Sequence, residues 1–188
     1  MNNIFKVLAS FAILFVLATG ALGFSLRGFD IRDKDDVLGQ RLATIHRLSG
    51  VAAAITVVLC NSIVVTYFVG TSRWCKEVSE TYELGSTFTR RSTIIKRRTF
   101  PLAVANMLIA VGIIALGGAG DPAGTFHGAP PPGLTWTNLH FMGAALGLCF
   151  IAWASLAEYG NIEANQAVIA DVMQEVKRIR TERGLDVQ

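Results

Sequence analysis

Four apolar runs dominate the chain, over residues 4–24, 45–70, 101–120 and 134–158. Each is long enough to cross a hydrocarbon core as a helix, which takes about 20 residues. Lipid offers the backbone no hydrogen-bond partners, so a chain built this way folds as a bundle of spanning helices. Charged residues make up only 16% of the 188, against about a quarter in soluble domains. The mean hydropathy is +0.45. The sequence therefore predicts an all-α integral membrane protein, a four-transmembrane-helix bundle over residues 1–160. An amphipathic helix and tail follow over 161–188.

The first run carries one basic residue, Lys6, and small residues Thr19-Gly20-Ala21 near its end. It is longer than the usual core of a cleaved signal, so a retained helix is expected. The 25–45 segment has balanced charge, and Asp35 or Asp36 is placed to cap a helix starting at Val37. Residues 70–100 read as a basic loop, with Arg73, Lys76, Arg90, Arg91, Lys96, Arg97 and Arg98 against Glu77, Glu80 and Glu83, a net +4. Pro101 reads as the first-turn residue of the third span. The Pro- and Gly-rich 121–133 loop has no Lys or Arg.

Positive charge marks the cytoplasmic side. That rule puts 70–100 inside, the 25–45 and 121–133 loops outside, and both termini in the cytoplasm of a multi-pass protein of the inner (plasma) membrane. In the tail, Ile169, Val172, Val176 and Ile179 form one apolar stripe, and Gly184 can end the helix. Residues 70–100 and 162–183 are then the surfaces offered to other subunits of a membrane complex. The small net charge of +3 gives no footing for nucleic acid.

Other chemistry is thinly represented. Cys60, Cys75 and Cys149 form no CxxC or Cys/His pattern. P-loop, nucleophile-elbow, HExxH and dinucleotide signatures are absent. No acidic residue is expected deep inside a span, and no lysine is placed for a Schiff base.

What remains is a pair of histidines. His46 and His140 stand at the outer ends of spans two and four, which run in the same direction. His46 precedes Tyr67 by 21 residues and His140 precedes Tyr159 by 19. Taking the tyrosines as inner-interface anchors, the imidazoles differ in depth by about 3 Å. Two histidines at one depth on parallel helices suit axial ligation of a haem b iron. Gly50 and Gly143 fall near the faces of their histidines, where a porphyrin needs absent side chains. Arg47 and Arg41 are placed to pair with propionates. The plain alternative is interfacial: His46 lies beside Arg47, and His140 follows Trp136, Thr137 and Asn138. His127, in the Pro-rich loop, is a remoter third candidate.

His46-Arg47-Leu48-Ser49-Gly50 resembles the His-Arg-x-Ser/Thr-Gly element of succinate dehydrogenase cytochrome b membrane-anchor subunits. The resemblance covers these five residues and implies a membrane redox subunit with Arg47 facing a quinone headgroup. Departures are Ala43 where that family has serine, four spans in place of three, and an outer in place of a cytoplasmic motif. The family's haem histidine comes from a different helix, so the resemblance does not assign His46 as a ligand.

The sequence thus supports a cytochrome b-like subunit with one haem between spans two and four, passing electrons to or from quinone or a periplasmic partner. It is a non-catalytic or electron-transfer subunit in this reading, not a stand-alone enzyme. The alternative is a cofactor-free structural subunit of a larger complex, or a variant with one histidine on a chlorophyll-type pigment. A small transporter is the third reading, because the two pairs of spans share a direction and place their histidines alike, as in a parallel repeat.

Overall fold

A computed structural model describes residues 1–185 except positions 30, 32, 34, 122, 123, 125 and 127. Of the described residues, 86% are helical. Helices α1 (Asn2–Ser25), α2 (Val37–Thr81), α3 (Thr87–Gly120) and α4 (Trp136–Glu182) are joined over residues 26–36, 82–86 and 121–135. All four are long and apolar enough to cross a membrane. Each packs on its chain neighbours, α4 closes the ring on α1, and α2 meets α4 across a diagonal. This is an all-α four-helix bundle whose apolar outer faces suit a lipid bilayer.

Caps explain where the helices begin and end. The Asp36 side chain accepts from the Gly39 N–H at 2.9 Å, satisfying one free donor at the start of α2. Thr135 does the same for Asn138 at the start of α4. Gly184, at φ 64°, terminates α4, with the Leu185 N–H returning to the Arg180 carbonyl at 2.9 Å. The equivalent stop after α2 places Glu83 at φ 56°, with Leu84 N–H bonding the Ser79 carbonyl.

Two expectations fail at the basic segment. Residues 70–100 are not a loop: α2 continues to Thr81 and α3 starts at Thr87. Charged side chains on these arms point outward, while small Ser72, Cys75 and Ser79 on α2 and Ser92 on α3 pack inward. Pro101 consequently lies inside α3 and not in its first turn. The α2–α3 arms and the extension of α4 form a three-helix end, called here the hairpin end. Asn165 is its centre, donating to Thr71 Oγ1 at 2.9 Å and Tyr67 OH at 3.3 Å and accepting from Ser92 Oγ at 3.2 Å. Of the predicted tail stripe, Val172 is fully buried and Ile169, Val176 and Ile179 flank the seam.

The two halves of the chain repeat one another. Raising residue numbers by 94 turns buried Phe5, Ala9 and Ala12 into buried Thr99, Ala103 and Asn106. The same shift turns Ala53, Val57, Cys60, Asn61, Val64 and Phe68 into Gly147, Ile151, Ala154, Ser155, Glu158 and Ile162, all buried. Contacts between the halves obey it too. The Arg47–Asp121 ion pair at 2.9 Å has as its counterpart Arg27 over the Phe141 ring at 4.6 Å. A residue paired with its own counterpart lies on a pseudo-twofold axis running along the bundle. Thr71–Asn165 is such a pair, 94 apart.

Candidate functional site at the histidine end

A second on-axis pair is His46 and His140. They stand on the diagonal helices α2 and α4 and, like Thr71–Asn165, are counterparts in the repeat. Their ring centroids are 6.1 Å apart and the rings are inclined by 72°. Both are half-buried.

Each imidazole is held by the helix before it. His46 Nδ1 lies 3.1 Å from the Thr19 carbonyl of α1, and His140 Nδ1 lies 3.0 Å from the Ile113 carbonyl of α3. In both cases the acceptor is 27 residues upstream. A carbonyl only accepts, so Nδ1 carries a proton, and in the neutral ring this leaves the lone pair on Nε2. This is the tautomer and second-shell bond expected of a metal-ligating histidine.

Glycines make room for the rings. A Cβ at Gly23 would fall 2.5 Å from His46 Cε1, and one at Gly117 would fall 3.0 Å from His140 Cε1. Any larger residue on α1 or α3 would displace the imidazole. These two glycines escaped sequence reasoning because they lie on the helices opposite the histidines. The signal that finds them is the shared spacing, 23 residues before each histidine.

The other predicted residues go elsewhere. At Gly50 a Cβ would meet Thr19 Cγ2 at 3.7 Å, an ordinary helix contact. Gly143 accepts the Leu116 side chain, which a Cβ would approach to 2.8 Å. Both glycines therefore serve packing against the preceding helix, as small residues do in membrane bundles. Arg47 is engaged by both oxygens of Asp121, 3.1 and 2.9 Å away, and also donates to Thr44 Oγ1. It fastens the end of α3 to α2 at the rim. Arg41 is exposed. His127 lies outside the described residues.

Among the described residues no group of three or more His, Cys, Asp and Glu side chains converges on a metal site. A metal here would have two protein ligands and would need the rest of its coordination from a planar organic group. The two imidazoles, each with Nδ1 tied to a carbonyl, are the donors such a group would use, and Gly23 and Gly117 leave room for the rings themselves.

Compared with known proteins, the chain matches no family model, no curated protein and no solved structure. What the geometry defines is a class: a duplicated four-helix membrane bundle with one histidine from each repeat on its axis.

Proposed function

We propose that the chain is a membrane cytochrome b-like subunit holding one haem b between His46 and His140. The observation that carries this reading is the on-axis meeting of two imidazoles whose Nδ1 atoms are both committed to backbone carbonyls. His46 and His140 would ligate through Nε2. Thr19 and Ile113 would fix the rings, and Gly23 and Gly117 would keep the space beside them clear. Such a group, when bound, supplies one-electron transfer. The Arg47–Asp121 pair keeps the rim of α2 and α3 together, and Arg47 would have to exchange Asp121 for a propionate or a quinone headgroup to serve the site.

Charge supplies the orientation in this reading. The basic arms put the hairpin end in the cytoplasm and the histidine end at the outer face of the inner membrane. Electrons would pass there to or from quinone or a periplasmic partner, and the arms and tail would dock other subunits. The cofactor-free alternative draws on the same contact: an edge-to-face ring pair is itself helix-to-helix glue, worth about 1 kcal/mol.

The test is a visible spectrum of the detergent-purified protein from haem-replete cells, oxidised and then reduced with dithionite. A sharp reduced α-band, lost in both H46A and H140A while the variants stay folded, is the expected result. A folded wild-type protein with no Soret absorbance overturns the proposal in favour of the cofactor-free subunit.

A further inference from the structure

Glu158 is the one buried side chain among the described residues that carries a carboxyl group into the bundle axis. It lies 18 residues beyond His140, which is five helical turns, so it shares that histidine's face about 27 Å further along α4. It is 1% exposed, and neither carboxyl oxygen has a hydrogen-bond partner. The counterpart position in the first repeat is Val64, also fully buried. The sequence did not reveal it because Glu158 falls where the fourth apolar run ends, whereas the helix continues for 24 further residues to Glu182.

Its neighbourhood is polar but closed. One turn toward the histidine end, buried Asn106 of α3 donates to Asn61 Oδ1 at 3.2 Å, and its own Oδ1 is left without a partner. Ser155 occupies the Asn61 layer on α4. Beyond these, toward the histidines, Val57 and Ile151 belong to an apolar cluster with Ala12, Ala54 and Ala110. Toward the hairpin end, Phe68 and Ile162 close the next layer. Two apolar layers thus bracket one acid and one orphaned amide oxygen.

An isolated carboxylate in such a place costs far more than a neutral carboxylic acid. The titratable groups near it are Cys60 on α2 and, from α1, Lys6, whose ammonium sits 4.7 Å over the neighbouring Tyr159 ring. The Tyr159 hydroxyl is itself given to Glu163. From α3 the buried face offers only Thr99, Ala103 and Asn106, all uncharged. Among the described residues no cation is paired with Glu158, and a proton is the ligand that removes its charge at no cost in volume.

We propose that Glu158 is an occluded proton-binding site that exchanges its proton with the hairpin end across the Phe68–Ile162 layer. The hairpin end is the nearer: Asn165, with its polar partners, begins only two turns away on the same face. The histidine pair lies five turns away behind the other apolar layer. The site stands independently of any cofactor at the histidines.

Infrared spectroscopy of the full chain in lipid tests it. A carboxylic-acid carbonyl band that shifts in deuterium oxide, disappears on alkalinisation and is missing from E158Q is expected. A hydrophobic carbodiimide gives the second readout. The protonated carboxyl adds across the N=C=N group, its proton passing to nitrogen, and an oxygen-to-nitrogen acyl shift leaves a stable N-acylurea with nothing expelled. Peptide mass mapping should place this adduct on Glu158, and F68A should raise its rate several-fold. The proposal is overturned if the folded wild-type protein shows no such band. It is equally overturned if sodium at constant pH suppresses the adduct, which makes the ligand a metal cation, or if F68A leaves the rate unchanged.

Discussion

The first and second halves of the chain build the same scaffold and finish it with different chemistry. At the rim, one repeat position is served by an ion pair, Arg47 with Asp121, and its counterpart by a guanidinium on a ring, Arg27 with Phe141. In the middle, Asn106 and Glu158 replace Ala12 and Val64. At the histidines the halves agree in residue type and in how the ring is held, each Nδ1 on a backbone carbonyl 27 residues upstream. The scaffold tolerates exchange where burial is kept, and the axis at the histidine end is a place where it has kept identity as well. Helix packing alone asks only for shape there, so retained imidazoles on both sides point to shared chemistry.

The halves differ even in how tightly they hold those rings, and this gives the largest expected effect. G23A forces a methyl to within 2.5 Å of a hydrogen-bonded ring, an overpacking cost of about 1–3 kcal/mol. G117A, at 3.0 Å, should cost clearly less. Thermal unfolding in detergent reads the difference, and equal losses would remove the asymmetry. A second contrast sets two buried polar residues of α4 against each other. N165L strips partners from Thr71, Tyr67 and Ser92 and should cost about 2 kcal/mol. E158L removes a group with no partner to lose and should leave stability unchanged or raised.

Smaller effects concern ends and rim. Glu83 holds a left-handed conformation that glycine holds without strain, so E83G should stabilise the protein by about 1 kcal/mol. The equivalent stop after α4 already has glycine, so G184A should move stability the other way. R47A should cost less than about 1 kcal/mol, because the pair is half-exposed. That loss should shrink as salt is added. The ring contact of Arg27 should respond to salt more weakly, and identical salt slopes for R47A and R27A would show that the two rim contacts are not different in kind.

Much of the architecture was legible because lipid reads composition directly. Four apolar runs became four helices, and Asp36 and Gly184 stopped and started them where their chemistry allows. The hairpin arms were not legible, for a physical reason. Their interior faces are built from Ser72, Cys75, Ser79 and Ser92, which are small and polar and leave no apolar stripe to find. The histidine pair could be singled out because an imidazole inside an apolar run is costly. Its support could not, since Thr19 and Ile113 contribute carbonyls, and any residue type has one. Gly23 and Gly117 became visible only with the repeat in hand.

Fusion of the two repeats into one chain has a bearing on Glu158. A bundle assembled from two identical subunits would carry two acids on its axis or none. With two, like charges would face each other in a dry interior, and the first proton held would oppose the release of the second. A single covalent chain escapes that constraint, because each half can change without the other. The valine opposite Glu158 is therefore as much a part of the device as the acid: it lets one carboxyl sit alone where symmetry would have demanded a pair.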